Sequence, residues 1–533
     1  MKKHFAVVLG VLAIAGCSSA NEGTSSSMGS TGGMGPTGSG GGSTSSGGAS
    51  EMDCTMQADK CYVRVKDGQF TLDGKPYKYM GTNLWAAPYM PQARLVKELD
   101  TLQSIGVKNL RIMALSEGGL TDAEKNDKQY GPQRITPASS DSPCADATLE
   151  AYIQNLKATL DAVHAHGMKA VMTLNDWYAW SGGMPQYMKW AHDSASMSCA
   201  KSYDAYVIDG AKDPATGKSL FTDDHHVPFA SSTLWKPATG DVCAPVPMGS
   251  AFVIPQPGTL ASDDPNLGKA WDDLQDISTM FLCNKQAQTF FFDRAAHVIE
   301  ALKDHPGVMA WQLANEPRSF KGWDAVFSLW VARTAKFIKD IDPNHLVSIG
   351  SEGELYQWGD YANSDYRTFS GVSGVDYLTF HVWPENWGWY DPSLPIDSMA
   401  MKSLDSAVKL SGDFIAKHIE HAKALKKPLV VEEFGLARDD NSSPVTATVK
   451  KRNAYYAEIF KQVQDNAELS GVNFWAWGGS GRPATDGNPH WRVGQDYIGD
   501  PPHEQQGWYS VYDSDKDTMM LIQQFAMDIE ASP

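Results

Sequence analysis

Short apolar runs alternate with longer amphipathic stretches along most of the chain. The apolar runs predict eight strands, at residues 77–84, 108–115, 169–175, 308–313, 346–351, 375–382, 428–433 and 471–477. The amphipathic stretches predict helices at residues 93–105, 149–166, 286–303, 324–339, 403–425 and 449–465. A repeating strand–helix order implies parallel strands joined by crossovers. Eight such units predict an α/β fold, the closed (β/α)8 TIM barrel, with its active site at the carboxyl ends of the strands.

Two further features complete the predicted architecture. The dipeptides Asp67-Gly68 and Asp73-Gly74 predict an N-terminal hairpin. After the third strand, more than 130 residues separate Asn175 from Val308, and residues 191–268 are rich in Pro, Asp, Gly and Ser. We expect an insertion there, on the catalytic face and shaping the substrate cleft; a structural ornament at the side of the barrel is the alternative. An open doubly wound sheet is the alternative fold, but no Gly-rich phosphate turn follows the first strand.

The N-terminus has the pattern of an export signal. A basic start, Met1-Lys2-Lys3-His4, precedes an apolar run at residues 5–13 that is too short to span a bilayer. The sequence Ala15-Gly16-Cys17 ends a stretch that resembles a bacterial lipobox, which implies removal of residues 1–16 and a lipid on Cys17. We expect an exported protein, anchored by lipid to the outer membrane on its periplasmic or cell-surface side, or released outside. A cleaved signal with an incidental cysteine is the alternative.

Residues 17–51 are mostly Ser, Gly and Thr, a composition that cannot bury a core. We therefore expect a flexible tether, followed by one catalytic domain at residues 52–533. The cysteines beyond Cys17 are Cys54, Cys61, Cys144, Cys199, Cys243 and Cys283. Export favours disulfides among them, but the sequence does not select a pairing, and free buried thiols are the alternative.

Composition narrows the classes of function. Acidic residues outnumber basic ones, 63 to 45, and the net charge is −18. This charge repels phosphate backbones and anionic membrane surfaces, so we expect no nucleic-acid partner and no membrane contact other than the lipid. Hydrophobic residues make up 42% and aromatic residues 11%, which excludes disorder of the whole chain. We expect a monomer.

Two glutamates stand at the ends of predicted strands. Glu316 follows the fourth strand and Glu433 ends the seventh. A carboxylate at the end of a buried strand is costly unless it is used or paired. Retaining glycosidases need such a pair, one as acid/base and one as nucleophile; ordinary salt-bridged glutamates are the alternative. Because successive strand residues face opposite ways, we expect only one of Glu432 and Glu433 to point into the cleft.

The residues around both glutamates carry a family resemblance. Asn315-Glu316-Pro317 and Glu433-Phe434-Gly435 resemble glycoside hydrolase family 5, over about residues 70–512. Other motifs resemble its endo-β-1,4-mannanase branch: Ala314-Asn315-Glu316-Pro317-Arg318, Asn175-Asp176-Trp177, Ser181-Gly182-Gly183 and His381-Val382-Trp383-Pro384. The resemblance implies a retaining endo-β-1,4-mannanase, which hydrolyses internal bonds of mannan, galactomannan or glucomannan by double displacement.

The resemblance also implies a role for each matching residue. Glu316 is the general acid/base, Glu433 is the nucleophile and Asn315 binds the sugar 2-hydroxyl. Arg111 keeps the nucleophile ionised, and His381 belongs to the catalytic hydrogen-bond network. The other implied substrate contacts are the aromatic residues Trp85, Trp177, Trp383 and Trp475 and, on the leaving-group side, Arg318 and Glu352.

Position 383 departs from the pattern of the branch. Many mannanases carry there a tyrosine that hydrogen-bonds the nucleophile, whereas this chain has Trp383. An indole N–H can donate a hydrogen bond but cannot replace a phenol in every respect. We therefore expect this contact to be lost or to be supplied by another residue.

The expected partner is a β-mannan polysaccharide or manno-oligosaccharide. Because carboxyl groups fill both catalytic roles, neither a metal nor an organic cofactor is needed. One alternative is a β-1,4-glucanase of the same fold, since mannose and glucose differ only at C2. Another is a non-catalytic, surface glycan-binding lipoprotein, which would not need Glu316, Glu433, Asn315 and Arg111 together.

Overall fold

The computed structural model describes residues 58–117, 142–210, 264–265, 267–358, 362–492 and 494–531, with isolated positions between 212 and 254. Its central sheet consists of strands β1 (Tyr79–Asn83), β2 (Asn109–Met113), β3 (Lys169–Thr173), β4 (Val308–Gln312), β5 (Leu346–Ser348), β6 (Leu378–Val382), β7 (Leu429–Phe434) and β8 (Leu469–Phe474). These are the eight predicted strands, and their prediction is confirmed. Every residue in them is buried, as expected of parallel strands covered on both faces.

The strands close into a nearly complete barrel. Their order is β5-β4-β3-β2-β1-β8-β7-β6, and all neighbouring pairs are parallel. At the seam between β5 and β6, single hydrogen bonds replace a ladder. The amide of Asp376 donates to the carbonyl of Val347 at 2.8 Å, and the amide of Val347 donates to the Asp376 carboxylate at 2.7 Å. The predicted TIM barrel is therefore confirmed.

Helices surround the barrel. The longer ones are α1 (Gln92–Ser104), α2 (Ala147–Ala165), α3 (Gly183–Asp193), α4 (Leu267–Phe281), α5 (Lys285–Leu302), α6 (Asp324–Ile341), α7 (Leu404–Leu425), α8 (Lys450–Asp465) and α9 (Lys516–Ala531). The six predicted helices correspond to α1, α2, α5, α6, α7 and α8. The sequence pattern does not predict α3, because its Gly-Gly-Met-Pro start is typical of a turn.

The N-terminal hairpin closes one end of the barrel. It is a three-stranded antiparallel sheet of Arg64–Lys66, Gln69–Leu72 and Lys75–Pro76, with its turns at the two predicted Asp-Gly dipeptides. Phe70 from this sheet packs against Tyr377 and Tyr79, with ring centroids 5.2 and 6.3 Å apart. Tyr79 begins β1, so the hairpin seals the amino end and leaves the carboxyl end for the site.

Two disulfides tie the insertion to the barrel. Cys144, just before α2, bonds to Cys199, and Cys243 bonds to Cys283, between α4 and α5. The sequence left these pairings open. The bonds join residues 55 and 40 positions apart. Closing loops of this length stabilises the folded chain by roughly 4 kcal/mol per bond in the chain-entropy account.

The described residues of the insertion lie in two places. Tyr203 and Tyr206 pack against Phe337 of α6, which places this part at the side of the barrel. Ile254 packs instead with Ala179 of the loop after β3, at the catalytic end. Whether the insertion shapes the substrate cleft stays a prediction.

The predicted signal, the lipid site at Cys17, the tether and much of the insertion lie outside the described residues. Lipid anchoring and localisation therefore stay predictions. Within the described part of the chain, no helix combines the length and the apolarity that crossing a membrane requires.

Candidate active site

Glu316 lies just beyond the end of β4, on a tightly constrained turn. Its φ is +46°, in the left-handed region that side chains rarely adopt. Its amide donates to the carbonyl oxygen of Gly350 at 2.9 Å. A Cβ on Gly350 would lie 2.0 Å from the carbonyl oxygen of Ala314, and the φ of Gly350 is +83°. Only glycine fits there, so the turn that carries Glu316 is pressed against the loop after β5.

Glu433 lies on β7 and is 3% exposed. The guanidinium of Arg111, from β2, crosses the barrel to it: Nη1 contacts Oε1 of Glu433. The same guanidinium donates to Oδ1 of Asn315 and to Oε1 of Gln312, each at 2.8 Å. The structure thus brings together Arg111, Asn315 and Glu433, three of the residues that the family resemblance singles out.

Glu432 and Glu433 both face the barrel interior, so the regular alternation on which the expectation for the cleft rested is absent here. The register between β6 and β7 shifts at Glu432. Such a bulge breaks the alternation of successive side chains, which the expectation assumed to be regular. Gln312 donates to both carboxylate oxygens of Glu432, at 2.7 and 2.8 Å, while Glu433 contacts Arg111.

His381, on β6, joins the two strand-end glutamates. Its Nδ1 lies 2.6 Å from Oε1 of Glu316 and 3.3 Å from Oε2 of Glu433. One donor or acceptor atom from each of these three side chains lies within 4.8 Å of the other two. One oxygen of each carboxyl group thus lies within 4.8 Å of the other, which is compatible with the separation of about 5–5.5 Å between the carboxyl groups of retaining glycosidases.

The charges in this cluster are coupled. Burial lowers the pKa of His381, but the carboxylates of Glu433, Glu316 and Glu432 outweigh it and raise that pKa to about 10. Burial is the largest cause that raises the pKa of Glu433, and the carboxylates of Glu316 and Glu432 raise it further. The charges of His381 and Arg111 lower it, and the resulting pKa is about 7. Burial also raises the pKa of Glu316, but the hydrogen bond from His381 and nearby positive charge outweigh it and lower that pKa. Two cations, Arg111 and protonated His381, thus face three carboxyls, and below about pH 7 the cluster holds one further proton.

Glu316, His381 and Glu433 also offer enough ligand atoms for a metal ion. A cation held by them would lie beside the guanidinium of Arg111, which already contacts Glu433. Like charges at that distance repel strongly in a buried site. The set therefore fits a proton-transfer network better than a metal centre.

Asn315 is held from two sides. Its Oδ1 accepts from Arg111, and its Nδ2 donates to Oδ1 of Asp176 at 3.1 Å. Asp176 also accepts from the hydroxyl of Ser181 at 2.8 Å and from the amide of Tyr178 at 3.1 Å. Burial raises the pKa of Asp176 to about 8 despite these donors. Asp176 therefore orients Asn315, a function that the sequence motif alone does not assign.

Arg318 and Glu352 form an ion pair, with Nε 2.6 Å from Oε1. Arg318 also donates from Nη2 to the hydroxyl oxygen of Tyr178 at 3.2 Å. That hydroxyl lies 2.9 Å from Oε2 of Glu316 and donates to it. The two residues that the resemblance places on the leaving-group side are therefore connected to Glu316 through Tyr178.

Aromatic residues line the space next to this cluster. Trp85, Trp180 and Trp475 border a small cavity together with Arg111 and Asn315. Trp85 and Trp475 are among the expected substrate contacts, and their position beside Asn315 is compatible with that role. Trp180 was not expected; it lies between the motifs Asn175-Asp176-Trp177 and Ser181-Gly182-Gly183.

Trp383 packs beside Trp475, which borders this cavity. Its ring meets Trp475 edge-on at 6.0 Å and Tyr509 at 5.0 Å. A Cβ on Gly435 would lie 2.8 Å from the Trp383 ring, so glycine permits its close packing. The donors that contact Glu433 are Arg111 of β2 and His381 of β6.

Trp177 occupies a different place from the one expected. Its side chain is fully buried and packs against Phe320 at 6.0 Å. A ring without an exposed face cannot stack on a sugar. The expected role of Trp177 as a platform is therefore not supported, and it belongs to the packing beneath the loop.

Comparisons with known proteins agree with this geometry. Residues 60–532 match the family model described as GH family 5 beta-mannosidase-like. Mannan endo-1,4-beta-mannosidase 4 of Solanum lycopersicum is 31% identical over 198 residues, which are 35% of this chain and 46% of the tomato protein. The matched part thus spans less than half of that relative. Putative mannan endo-1,4-beta-mannosidase 9 of Oryza sativa subsp. japonica is 23% identical over 426 residues, 77% of this chain and 79% of the rice protein.

Solved structures of similar fold include a glycoside hydrolase family 5 mannosidase from Rhizomucor miehei. A mutant of it, in complex with mannosyl-fructose, superposes with a TM-score of 0.65 at 26% identity. The match covers 89% of this chain and 98% of that one.

Proposed function

Because this chain belongs to glycoside hydrolase family 5, the family that its motifs predict, we propose that it is a retaining endo-β-1,4-mannanase. As a member of that family it is a glycoside hydrolase. The observation that carries the retaining mechanism is the approach of Glu316 and Glu433 to within 4.8 Å at the carboxyl end of the barrel. The mannosyl-fructose complex of the Rhizomucor miehei mannosidase supports a mannoside substrate. The names of the tomato and rice relatives support cleavage within a mannan chain.

In the first step, a carboxylate oxygen of Glu433 attacks the anomeric carbon of the sugar. The bond between that carbon and the leaving oxygen breaks, and its electron pair stays on the oxygen, which takes the proton of Glu316. Arg111 stabilises the attacking carboxylate, which it contacts directly. In the second step, Glu316 removes a proton from water, which attacks the same carbon and releases Glu433.

The first step needs the shared proton on Glu316. In the protein alone, the pKa directions place it on Glu433 instead, since the pKa of Glu433 is raised and that of Glu316 is lowered. His381 contacts both carboxyls through Nδ1. It can therefore give its Nδ1 proton to Glu316 and take the proton of Glu433, which leaves Glu433 charged beside Arg111.

The shared proton predicts the alkaline limit of activity. A carboxyl with a raised pKa keeps its proton below that pKa and loses it as the pH rises through it. Because the pKa of Glu433 is about 7 and the proton is needed on Glu316, we expect kcat/KM on manno-oligosaccharides to fall above about pH 7. A pH profile that stays flat to about pH 9 would contradict the claim that loss of this proton limits activity.

One observation favours a second candidate, a β-mannosidase that cleaves from the chain end. Trp180 stacks on His503 at 6.2 Å and meets Trp85 edge-on at 5.5 Å, which forms an aromatic wall beside the cavity. Oε2 of Glu504 is buried without a hydrogen-bond partner among the described residues. Burial, and then nearby carboxylates that include Glu433 and Glu316, raise the pKa of Glu504. Such a wall limits how many sugar units fit on its side.

The deciding experiment measures new reducing ends and product sizes on β-mannan, with carboxymethyl cellulose as the comparison. The proposal predicts rapid release of mixed short manno-oligosaccharides and a steep fall in viscosity, from mannan alone. Mannose as the first and dominant product would favour the chain-end β-mannosidase. Activity mainly on the cellulose derivative would favour a β-1,4-glucanase, and binding without new ends would favour a glycan-binding protein.

A further inference from the structure

Tyr178 connects Glu316, the acid/base of the proposed function, to Arg318. It follows β3 on a loop that Asp176 holds through the amide of Tyr178, and its ring packs edge-on against Trp271 of α4 at 6.2 Å. Its hydroxyl lies 2.9 Å from Oε2 of Glu316 and 3.2 Å from Nη2 of Arg318. The resemblance assigns no role to this position.

The direction of each hydrogen bond follows from the groups involved. A guanidinium has only donors, so the oxygen of Tyr178 accepts from Arg318. The single hydroxyl hydrogen is then directed to Glu316. Burial, together with the carboxylates of Glu316 and Glu352, raises the pKa of Tyr178, so the hydroxyl keeps its hydrogen. The bond from Arg318 polarises this hydroxyl and strengthens it as a donor.

We propose that Tyr178 is a positioning residue that fixes the orientation of Glu316 and tunes when it gains and loses its proton. Oε1 of Glu316 is bound to His381 and Oε2 to Tyr178, so the carboxylate plane is held at both ends. A donor on Oε2 stabilises the ionised form, which acts as the base of the second step. This inference rests on the proposed function, because it assigns Glu316 as the acid/base.

The test is the pH profile of Tyr178→Phe in the purified full-length protein. The variant keeps the ring and removes only the hydroxyl. Because a hydrogen bond to a carboxylate shifts its pKa by roughly one unit, the alkaline limb of kcat on mannotetraose, which reports the enzyme–substrate complex with the proton on Glu316, should move up by about one pH unit. The acid limb of kcat on 2,4-dinitrophenyl β-mannobioside should move the same way, because its second step needs ionised Glu316.

The control is Tyr187→Phe, which removes a hydroxyl from a fully buried tyrosine that donates to Glu117 at 2.7 Å. It should lower thermal stability without moving either limb of the pH profile.

If Tyr178→Phe does not fold, site-specific 3,5-difluorotyrosine at position 178 gives a stronger donor, and both limbs should move to lower pH. If the Tyr178→Phe enzyme is active and both limbs of its pH profile stay in place, the role of Tyr178 is refuted while the proposed function stands. Inactivity of the unaltered protein on every mannoside would refute the proposed function and this role with it.

Discussion

Replacing Glu433 by alanine is expected to lower kcat on β-mannan by about 10⁴-fold or more. The variant has no carboxylate to form the glycosyl-enzyme, and the guanidinium of Arg111 loses the partner that it contacts. Azide, small enough for the space left by the side chain, should restore turnover of 2,4-dinitrophenyl β-mannobioside. Because azide attacks directly from the face that Glu433 occupied, the product should be the α-glycosyl azide.

Two further variants separate chemistry from stability. Glu433→Gln keeps the size of the side chain and should be as inactive as the alanine variant, with near-native melting. Glu354→Gln alters another buried glutamate, which pairs with His421 at 2.5 Å, and should keep most activity. Substantial mannan hydrolysis by Glu433→Ala, without azide, would remove Glu433 from the role of nucleophile.

Replacing Glu316 by alanine is expected to lower kcat/KM on β-mannan by about 10³-fold. The sugar alkoxide is a poor leaving group that needs the proton of Glu316. Dinitrophenolate leaves without one, so the first step on 2,4-dinitrophenyl β-mannobioside should be nearly unchanged and a burst of phenolate should appear. Azide should then accelerate the second step and yield the β-glycosyl azide.

The contrast between the two azide products distinguishes the roles of the glutamates. Retention in Glu316→Ala and inversion in Glu433→Ala assign acid/base and nucleophile independently of any rate. Equal losses on mannan and on the dinitrophenyl substrate in Glu316→Ala would mean that Glu316 acts in binding and not as an acid. Exchanged azide products would mean that the two roles are exchanged.

The parts of the site that lie at strand ends could be predicted from the sequence. Glu316 and Glu433 follow buried apolar runs, and in a parallel barrel such positions share one end of the sheet. Asn83, at the end of β1, carries the same signal; its Oδ1 lies 3.2 Å from Nη1 of Arg111. Its position at a strand end thus predicts a place in the site.

Other parts depend on backbone details that a sequence pattern does not encode. The bulge at Glu432 turns two successive carboxylates to the same side, whereas regular alternation would separate them. Trp177 and Tyr178 are adjacent in one loop, yet the first is buried under it and the second reaches Glu316. The loop has no regular periodicity, so which aromatic residue faces the site is decided by the fold around it.

The aromatic wall beside the cavity could not be predicted from the sequence. Trp180 meets His503 across more than 300 residues of chain, and the long segment after β8 that carries His503 has no helix or strand periodicity. Its position follows from packing on Trp85 and Trp180. In the proposed function this wall bears on internal against chain-end cleavage, and the sequence motifs include neither Trp180 nor His503.

The most direct test of the central claim is to trap the glycosyl-enzyme. With 2-deoxy-2-fluoro-β-mannosyl fluoride, fluorine at C2 slows both steps while the fluoride leaving group lets the first proceed, so the intermediate accumulates. Peptide mass spectrometry should find one fluoromannosyl unit on Glu433 and none on Glu316 or Glu432. A label on another residue, or an unlabelled enzyme whose first-formed product has the inverted anomer, would contradict a retaining mechanism with Glu433 as nucleophile.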